Sequence, residues 1–321
     1  MLARHVAAAT RDALDALDAR RDEPADLLAA MQGLALDIAG RSMFSMEMRR
    51  FGPAMRAMLA EYAADLSRPK LFDMLLPPSV PTLRDFARRR FSRRWMALIE
   101  ATMADRLRAP PPDAPNDLFD LLRAARDPET GVGFSAEQLR DQVATMILAG
   151  HETTAVTLFW AATLLARVPA EQDAVARDET RCKAAIQETL RLFPPAFTLV
   201  RETIGADTVG GLTLRPGSVV MIAPWVLHRH RALWRDPDAF DPSRFMPGEP
   251  PPPRFAWMPF GAGPRVCVGA QFALMEAAMV LSALTERFTL SLLGDRPVLP
   301  VAVVTTQPDH PPLFQLRRRV G

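Results

Sequence analysis

Cysteine is scarce: the 321-residue chain holds two, Cys182 and Cys267. Two thiols make no disulfide framework, so a reducing, cytoplasmic setting is expected. No uninterrupted run of about 18 apolar residues occurs, which argues against a transmembrane helix. The opening residues lack the charged, apolar and small-residue succession of a signal peptide. Basic and acidic residues nearly balance, 39 Lys+Arg against 37 Asp+Glu, and no basic block stands alone. Nucleic-acid binding therefore gets little support. Lysine is nearly absent, and Tyr62 is the single tyrosine. With the excess of alanine and arginine, that is the composition of a GC-rich bacterial genome.

What is present points to a large core, since 49% of the residues are hydrophobic. Apolar residues recur at three- and four-residue steps through "HVAAATRDALDALDARR", "PADLLAAMQGLALDIAGRSMF" and "FARRRFSRRWMALIEATMADRLRA". That is the amphipathic helical period. Pro110–Pro112 are expected to stop the third of these. "DLFDLLRAA" reads as a short helix. Ser135 with Gln138 offers a capping box for a long helix over about 136–168. A second helix is expected over about 171–193, closed by Pro194 and Pro195. Short β-type runs follow, "TLVRET", "TVGG-LTL" and "SVVMIA", separated by glycine turns. A proline-rich loop leads to "FGAGPRVCVG", a helix of about twenty residues, and then "TLSLLG", "PVAVV" and "LFQLRR" as strands. The thirty prolines cluster at 109–115, 236–253 and 308–312 as loops between elements. The expectation is a mainly α fold with small β-sheets.

Two stretches carry chemistry. "ILAGHETTAV", residues 147–156, places four polar residues in a row inside an apolar helix. His151-Glu152 begins the zinc-protease pattern His-Glu-x-x-His, but the fifth position is Ala155. The second metal ligand is missing. "FGAGPRVCVG" sets Cys267 just before a helix, with glycines on either side. A cysteine there faces free backbone N–H groups and the positive end of the helix dipole. Such a loop suits a thiolate held against a metal. The alternative is a buried cysteine packing as a small hydrophobe.

The loop resembles the haem-binding loop of the cytochromes P450, Phe-x-x-Gly-x-Arg-x-Cys-x-Gly, at every position: Phe260, Gly263, Arg265, Cys267 and Gly269. The resemblance implies haem b, with Cys267 as axial ligand of the iron, Arg265 on a propionate and Phe260 shielding the sulfur. It extends to Ala149, Gly150, Glu152, Thr153 and Thr154, which fit the oxygen-binding helix of that family. There the small residues leave room for O2. Thr153 would hold the reduced oxygen and its water, and Glu152 would feed protons from solvent. Thr153 can bond back one turn, bending the helix and opening its ladder to water. His151 is read as a bystander. Glu188 and Arg191 lie at i and i+3 on one helix face. The resemblance implies that they join Arg244 in a structural cluster under the haem. Arg201 matches a second propionate-binding arginine. Met146, Ile147, Phe197, Leu199 and Thr305 are expected to line the substrate pocket.

The implied fold is a single cytochrome P450 domain over residues 1–321, incomplete at the N-terminus. It would lack the first helices and part of the first sheet. The implied activity is insertion of one atom of O2 into an apolar organic substrate. Electrons would come from NAD(P)H through a separate ferredoxin, with its reductase, or a flavoprotein reductase. Two other readings stand beside it: a peroxide-driven peroxygenase, and a truncated haem binder or inactive remnant.

Overall fold

The computed structural model describes residues 2–45, 51–62, 82–108 and 114–319. Ten α-helices are described: α1 Leu2–Ala19, α2 Leu27–Phe44, α3 Gly52–Glu61, α4 Leu83–Arg108, α5 Leu118–Ala124, α6 Ala136–Arg167, α7 Pro169–Val175, α8 Glu179–Leu192, the short α9 Pro224–Leu227, and α10 Ala270–Arg287. Eight short strands form four antiparallel pairs. β1 Leu199–Glu202 pairs with β4 Val219–Ile222, and β2 Asp207–Val209 with β3 Leu212–Leu214. β5 Phe288–Leu292 pairs with β8 Phe314–Arg318, and β6 Pro300–Ala302 with β7 Thr306–Pro308. The mainly α expectation with small sheets holds. Among the described residues no helix is long and apolar enough to cross a membrane.

α6 is the axis. The Ser135 hydroxyl accepts from the Gln138 N–H, while the Gln138 side chain accepts from the Ser135 N–H, so the sequence-read box starts the helix. Its first half, through Ile147, packs with α2, α3 and α4 into one apolar cluster. Its second half, from Ala155 to Leu165, is buried among α1, α2, α8, α10 and the β5–β8 pair. Buried helix of this kind is apolar all round, which explains its weak amphipathic signal in the sequence. α4 ends at Arg108; the proline stop expected at 110–112 lies outside the described residues.

One helix expected over 171–193 is two. α7 ends at Val175, and the Asp178 side chain caps α8 by accepting from the Thr180 N–H. An aspartate side chain competes well for an N-terminal N–H, so the chain starts a new helix there. The strand β7 is also an addition to the expected set.

α8 carries a buried polar lattice. Glu188 and Arg191 are fully buried and meet at 2.7 Å. The guanidinium has five N–H donors. All of them are used: Nε and Nη2 on the Glu188 carboxylate, and the rest on the carbonyls of His228, Pro237 and Ala239. Glu188 Oε1 also accepts from the Asp241 N–H at 2.9 Å and from Arg244 Nε at 3.4 Å. A loop that lacks regular structure is thereby held on α8 by its own carbonyls. Trp234 lies under the Arg191 guanidinium, 5.0 Å from it. From Trp234 an aromatic series, Phe245, Trp257 and Phe260, leads to the cysteine loop. His228, also fully buried, bonds through Nδ1 to the Arg191 carbonyl at 3.1 Å and accepts the Met258 N–H on Nε2 at 2.9 Å.

α6 and α10 share a second buried group. Glu276 is 3% exposed, bonds to Thr154, and leaves Oε1 without a partner among the described residues. Burial pushes its carboxyl up to about 8, against the opposing Thr154 hydrogen bond. It is therefore mostly neutral at pH 7, which removes the cost of a buried charge.

Two pH dependences follow. Burial, with the Arg191 charge, pushes His228 down to about 4 from 6.5, against its backbone hydrogen bond. The unfolded ring takes a proton first, so the contribution of His228 is complete above about 6.5 and falls as pH drops toward 4. At pH 5 the loss is about 2 kcal/mol. In denaturant unfolding, the parent is expected to lose about 2 kcal/mol relative to His228→Asn between pH 7 and pH 5, the contributions of His151 and Glu276 being common to both proteins. Glu276 works at the other end. Its folded carboxyl lies above the unfolded one, so stability is complete below about 4.5 and is lost as pH rises toward 8. Glu276→Gln removes that loss. In a pH series from 5 to 8 the variant is expected to gain on the parent by a few kcal/mol; parallel curves would contradict the assignment.

Candidate active site

Cys267 sits where the loop after the aromatic series turns into α10, one turn before the helix proper. Its N–H donates to the Phe260 carbonyl at 2.9 Å, closing the loop on itself. Gly261 and Gly263 hold φ of +74° and +73°, a conformation that favours glycine. A Cβ added at Gly269 would lie 3.9 Å from the Cys267 sulfur, so the glycine keeps that side of the thiol clear. Cys267 is exposed. Cys182 is the contrast: it is buried, donates to the Ala278 carbonyl at 3.4 Å, and burial pushes its thiol up to about 12. The packing reading therefore fits Cys182 and not Cys267.

Arg265 and Arg201 stand exposed near the loop and on β1, and neither has an acidic partner among the described residues. Arg201 only donates to the adjacent Val200 carbonyl. Leu199, beside it on β1, reaches within 3.8 Å of where a Gly261 Cβ would stand, which ties β1 to the cysteine loop. Phe260 is half-buried and packs edge-on against Trp257.

On α6 the run between the two buried halves is open. Ala149 and Gly150 are exposed, and nothing lies within 4 Å of a Cβ added at Gly150. Glu152 and Thr153 are half-buried. The Thr153 hydroxyl donates to the Ala149 carbonyl at 2.8 Å. Thr145, Thr157 and Thr163 make the same back-bond. The back-bond is thus common on this helix, and the exposure of its neighbours is what sets Thr153 apart. The helix assignment is continuous through it, and the Thr153 hydroxyl shares the Ala149 carbonyl within the helical turn. His151 is 6% exposed, and burial with Arg56 nearby pushes it down to about 4. The Thr154–Glu276 bond links this open run to α10, the helix that begins at Cys267.

The other expected residues fall as follows. Glu188, Arg191 and Arg244 form one cluster, with Glu188 bonded to both arginines. Met146, Phe197 and Leu199 are half-buried. Ile147 is 1% exposed and packs in the α2–α3–α4–α6 core. Thr305 is 4% exposed and its hydroxyl donates to Glu152 Oε1 at 3.2 Å. Gln307 reaches the same oxygen at 2.6 Å. Sequence reasoning missed Gln307, His228 and Glu276. Glu276 had a signal, a lone acid in an otherwise apolar helix stretch, "ALMEAAMV". The other two had none, because their partners are distant in sequence.

The donor set suits haem: an exposed sulfur in a glycine-padded loop, an open notch on a facing helix, and two unpaired arginines able to meet carboxylates. The comparisons agree. The family description "Cytochrome P450" matches residues 2–311. Cyclooctatin synthase of Streptomyces melanosporofaciens is 40% identical over 192 residues, 54% of this chain and 42% of that protein. Putative cytochrome P450 137 of Mycobacterium tuberculosis is 32% identical over 286 residues, 86% of this chain and 59% of that protein. The chain thus spans about half the length of these relatives. The crystal structure of the cytochrome P450DA heme domain superposes with a TM-score of 0.84 at 24% identity, over 98% of this chain and 73% of that one. With a sulfur loop, an open helix and a matched family over nearly its whole length, this chain belongs to the cytochrome P450 family.

Proposed function

We propose that the chain is the catalytic part of a monooxygenase that inserts one oxygen atom from O2 into an apolar organic substrate. The observation that carries this is the exposed Cys267 at the start of α10, tied through Glu276 and Thr154 to the open run of α6. Cys267 would hold the haem iron, and Arg265 and Arg201 its carboxylates. Bound there, haem supplies the reductive activation of O2, with electrons drawn from NAD(P)H by a separate ferredoxin or flavoprotein partner. As its ligand, the Cys267 sulfur would donate the electron density that favours O–O cleavage.

The chain's own residues do the rest. Ala149 and Gly150 leave space beside the helix, since no side chain bulk stands there. Thr153 offers a hydroxyl at that space, its own proton directed to the Ala149 carbonyl. In that orientation its lone pairs are free to accept a hydrogen bond. Glu152, the next residue back, is half-buried with access to solvent, and serves as the proton carrier. Met146, Phe197 and Leu199 offer apolar surface to the substrate, which selects by area and shape more than by hydrogen bonds. The presence of the acid–alcohol pair favours O2 with a reductase over peroxide as oxidant.

The test is the absorption spectrum of the reduced, CO-bound chain beside that of Cys267→Ser. The expected result is a Soret band at the long-wavelength position that thiolate gives, lost in the variant. A band of nitrogen or water ligation, unchanged by the substitution, overturns the reading. Turnover with O2 and a reductase system is expected to exceed turnover with H2O2 alone, and Thr153→Ala to divert reducing equivalents from product to peroxide.

A further inference from the structure

Glu152 is held by a part of the chain that the oxygenase reading leaves without a role. Gln307 Nε2 donates to Glu152 Oε1 at 2.6 Å and to the Thr305 hydroxyl at 2.9 Å. The Thr305 hydroxyl donates its own proton to Glu152 Oε1 at 3.2 Å. The three groups close a ring. An amide nitrogen has two protons and a hydroxyl one. All three are spent, and Oε1 accepts twice. Any proton that Glu152 carries therefore sits on Oε2, which takes no hydrogen bond from a described residue.

The seat is rigid. Thr305 closes the bend before β7, where the Gln307 N–H donates to its carbonyl at 3.0 Å; the Thr305 and Gln307 side chains both reach Glu152, while the Thr306 side chain turns to the Pro194 carbonyl. Thr306 is 2% exposed and fixed three times: its N–H donates to the Pro195 carbonyl at 3.2 Å, its hydroxyl to the Pro194 carbonyl at 2.6 Å, and its carbonyl accepts from Trp160 Nε1 at 2.8 Å. Trp160 is 1% exposed and lies on α6, two turns beyond Glu152. The β6–β7 hairpin is thus bolted to the same helix at two points. Donors held this way lose little freedom when they grip a carboxylate.

We propose that Gln307, with Thr305, is the positioning pair for the proton-carrying Glu152. The pair pins Oε1 and leaves Oε2 as the working oxygen. Each proton that leaves Oε2 inward is replaced by one from solvent, so the carboxyl ends each cycle as it began. The inference rests on the monooxygenase reading above and adds residues to it. It also gives Thr305 a task on the acid in addition to any contact with substrate.

The experiment uses the haem-loaded chain and Glu152→Gln, Gln307→Leu, Thr305→Val and the Glu152→Gln/Gln307→Leu double variant. Gln307→Leu keeps the side-chain bulk and removes both donors. Product formed per O2 consumed is expected to fall by about tenfold, with peroxide rising to match. Substrate affinity from spectral titration is expected to stay within twofold. The double variant is expected to lose no more than Glu152→Gln alone, because the pair acts through that acid. An additive loss, or a change in affinity that accounts for the lost product, overturns the proposal. A second readout needs no turnover. In unfolding of the resting protein, Glu152→Gln and Gln307→Leu are expected to be non-additive, and independent effects would sink the clamp. Gln307→Leu with the parent's product share sinks the catalytic role even if the unfolding cycle shows coupling. Failure of the oxygenase reading looks different: it appears as no thiolate spectrum in the parent chain, before any variant is compared.

Discussion

The structure depends on one buried guanidinium. Arg191 is fully excluded from water, and a charge placed there alone would be very costly. It is tolerated because all five donors find acceptors, two on Glu188 and three on loop carbonyls. The constraint runs both ways. The arginine needs the loop carbonyls as much as the loop needs the arginine, so helix and loop form together or not at all. Removing either partner of such a pair typically costs about 3–5 kcal/mol, since the other is left uncompensated. Lysine at 191 would not substitute, because three donors on a flexible stem cannot serve two planes of acceptors at once. The cysteine loop inherits its rigidity from this lattice through His228, Trp257 and the aromatic series between them.

The charges of the molecule sort accordingly. Buried ionisable groups are either paired, as Glu188 and Arg191, or neutral near pH 7, as His151, His228 and Glu276. Arg201 on β1 and Arg265 in the cysteine loop, which lack acidic partners among the described residues, are exposed. An anionic group entering there meets positive charge without first breaking an ion pair. The same economy holds on α6, where the carboxylate of Glu152 is met by neutral donors and not by an arginine. A neutral clamp fixes position with less bias toward the charged form than a salt bridge imposes, which suits the proton-carrying role proposed for Glu152.

Much of this was legible in the sequence, and the reason is locality. The capping box, the long helix, the cysteine loop and the i, i+3 pair at Glu188 and Arg191 each place their partners within a few residues. A one-dimensional pattern carries such information directly. Arg244 and the two exposed arginines came from family resemblance, because nothing local marks them. The unread parts are all long-range: His228 to Met258, Glu276 to Thr154, and Gln307 to Glu152 join residues from different elements. The merged reading of α7 and α8 failed for another reason. Apolar spacing continues across Ala176–Asp178, and the competing cap of Asp178 outweighs it. Ile147, which the family resemblance places in the pocket, is in the core: successive helical residues point about 100° apart, and its side chain turns inward.

The two helices that meet at the site are built on opposite rules, and that difference explains how the site stays both open and ordered. α10 begins at a loop whose backbone is fixed by glycine conformations and by the Cys267–Phe260 bond, so its sulfur is placed by main chain. α6 keeps regular main chain throughout, and its reactive side chains are placed by partners from elsewhere. A backbone-placed ligand resists displacement, as a ligand to a metal must. A side-chain-placed acid can be retuned by changing the partner without disturbing the helix. Substitution on the β6–β7 hairpin would therefore alter proton handling while leaving the sulfur untouched. On the proposed reading, the fold separates the holding of the iron from the handling of protons, and assigns each to a different stretch of chain.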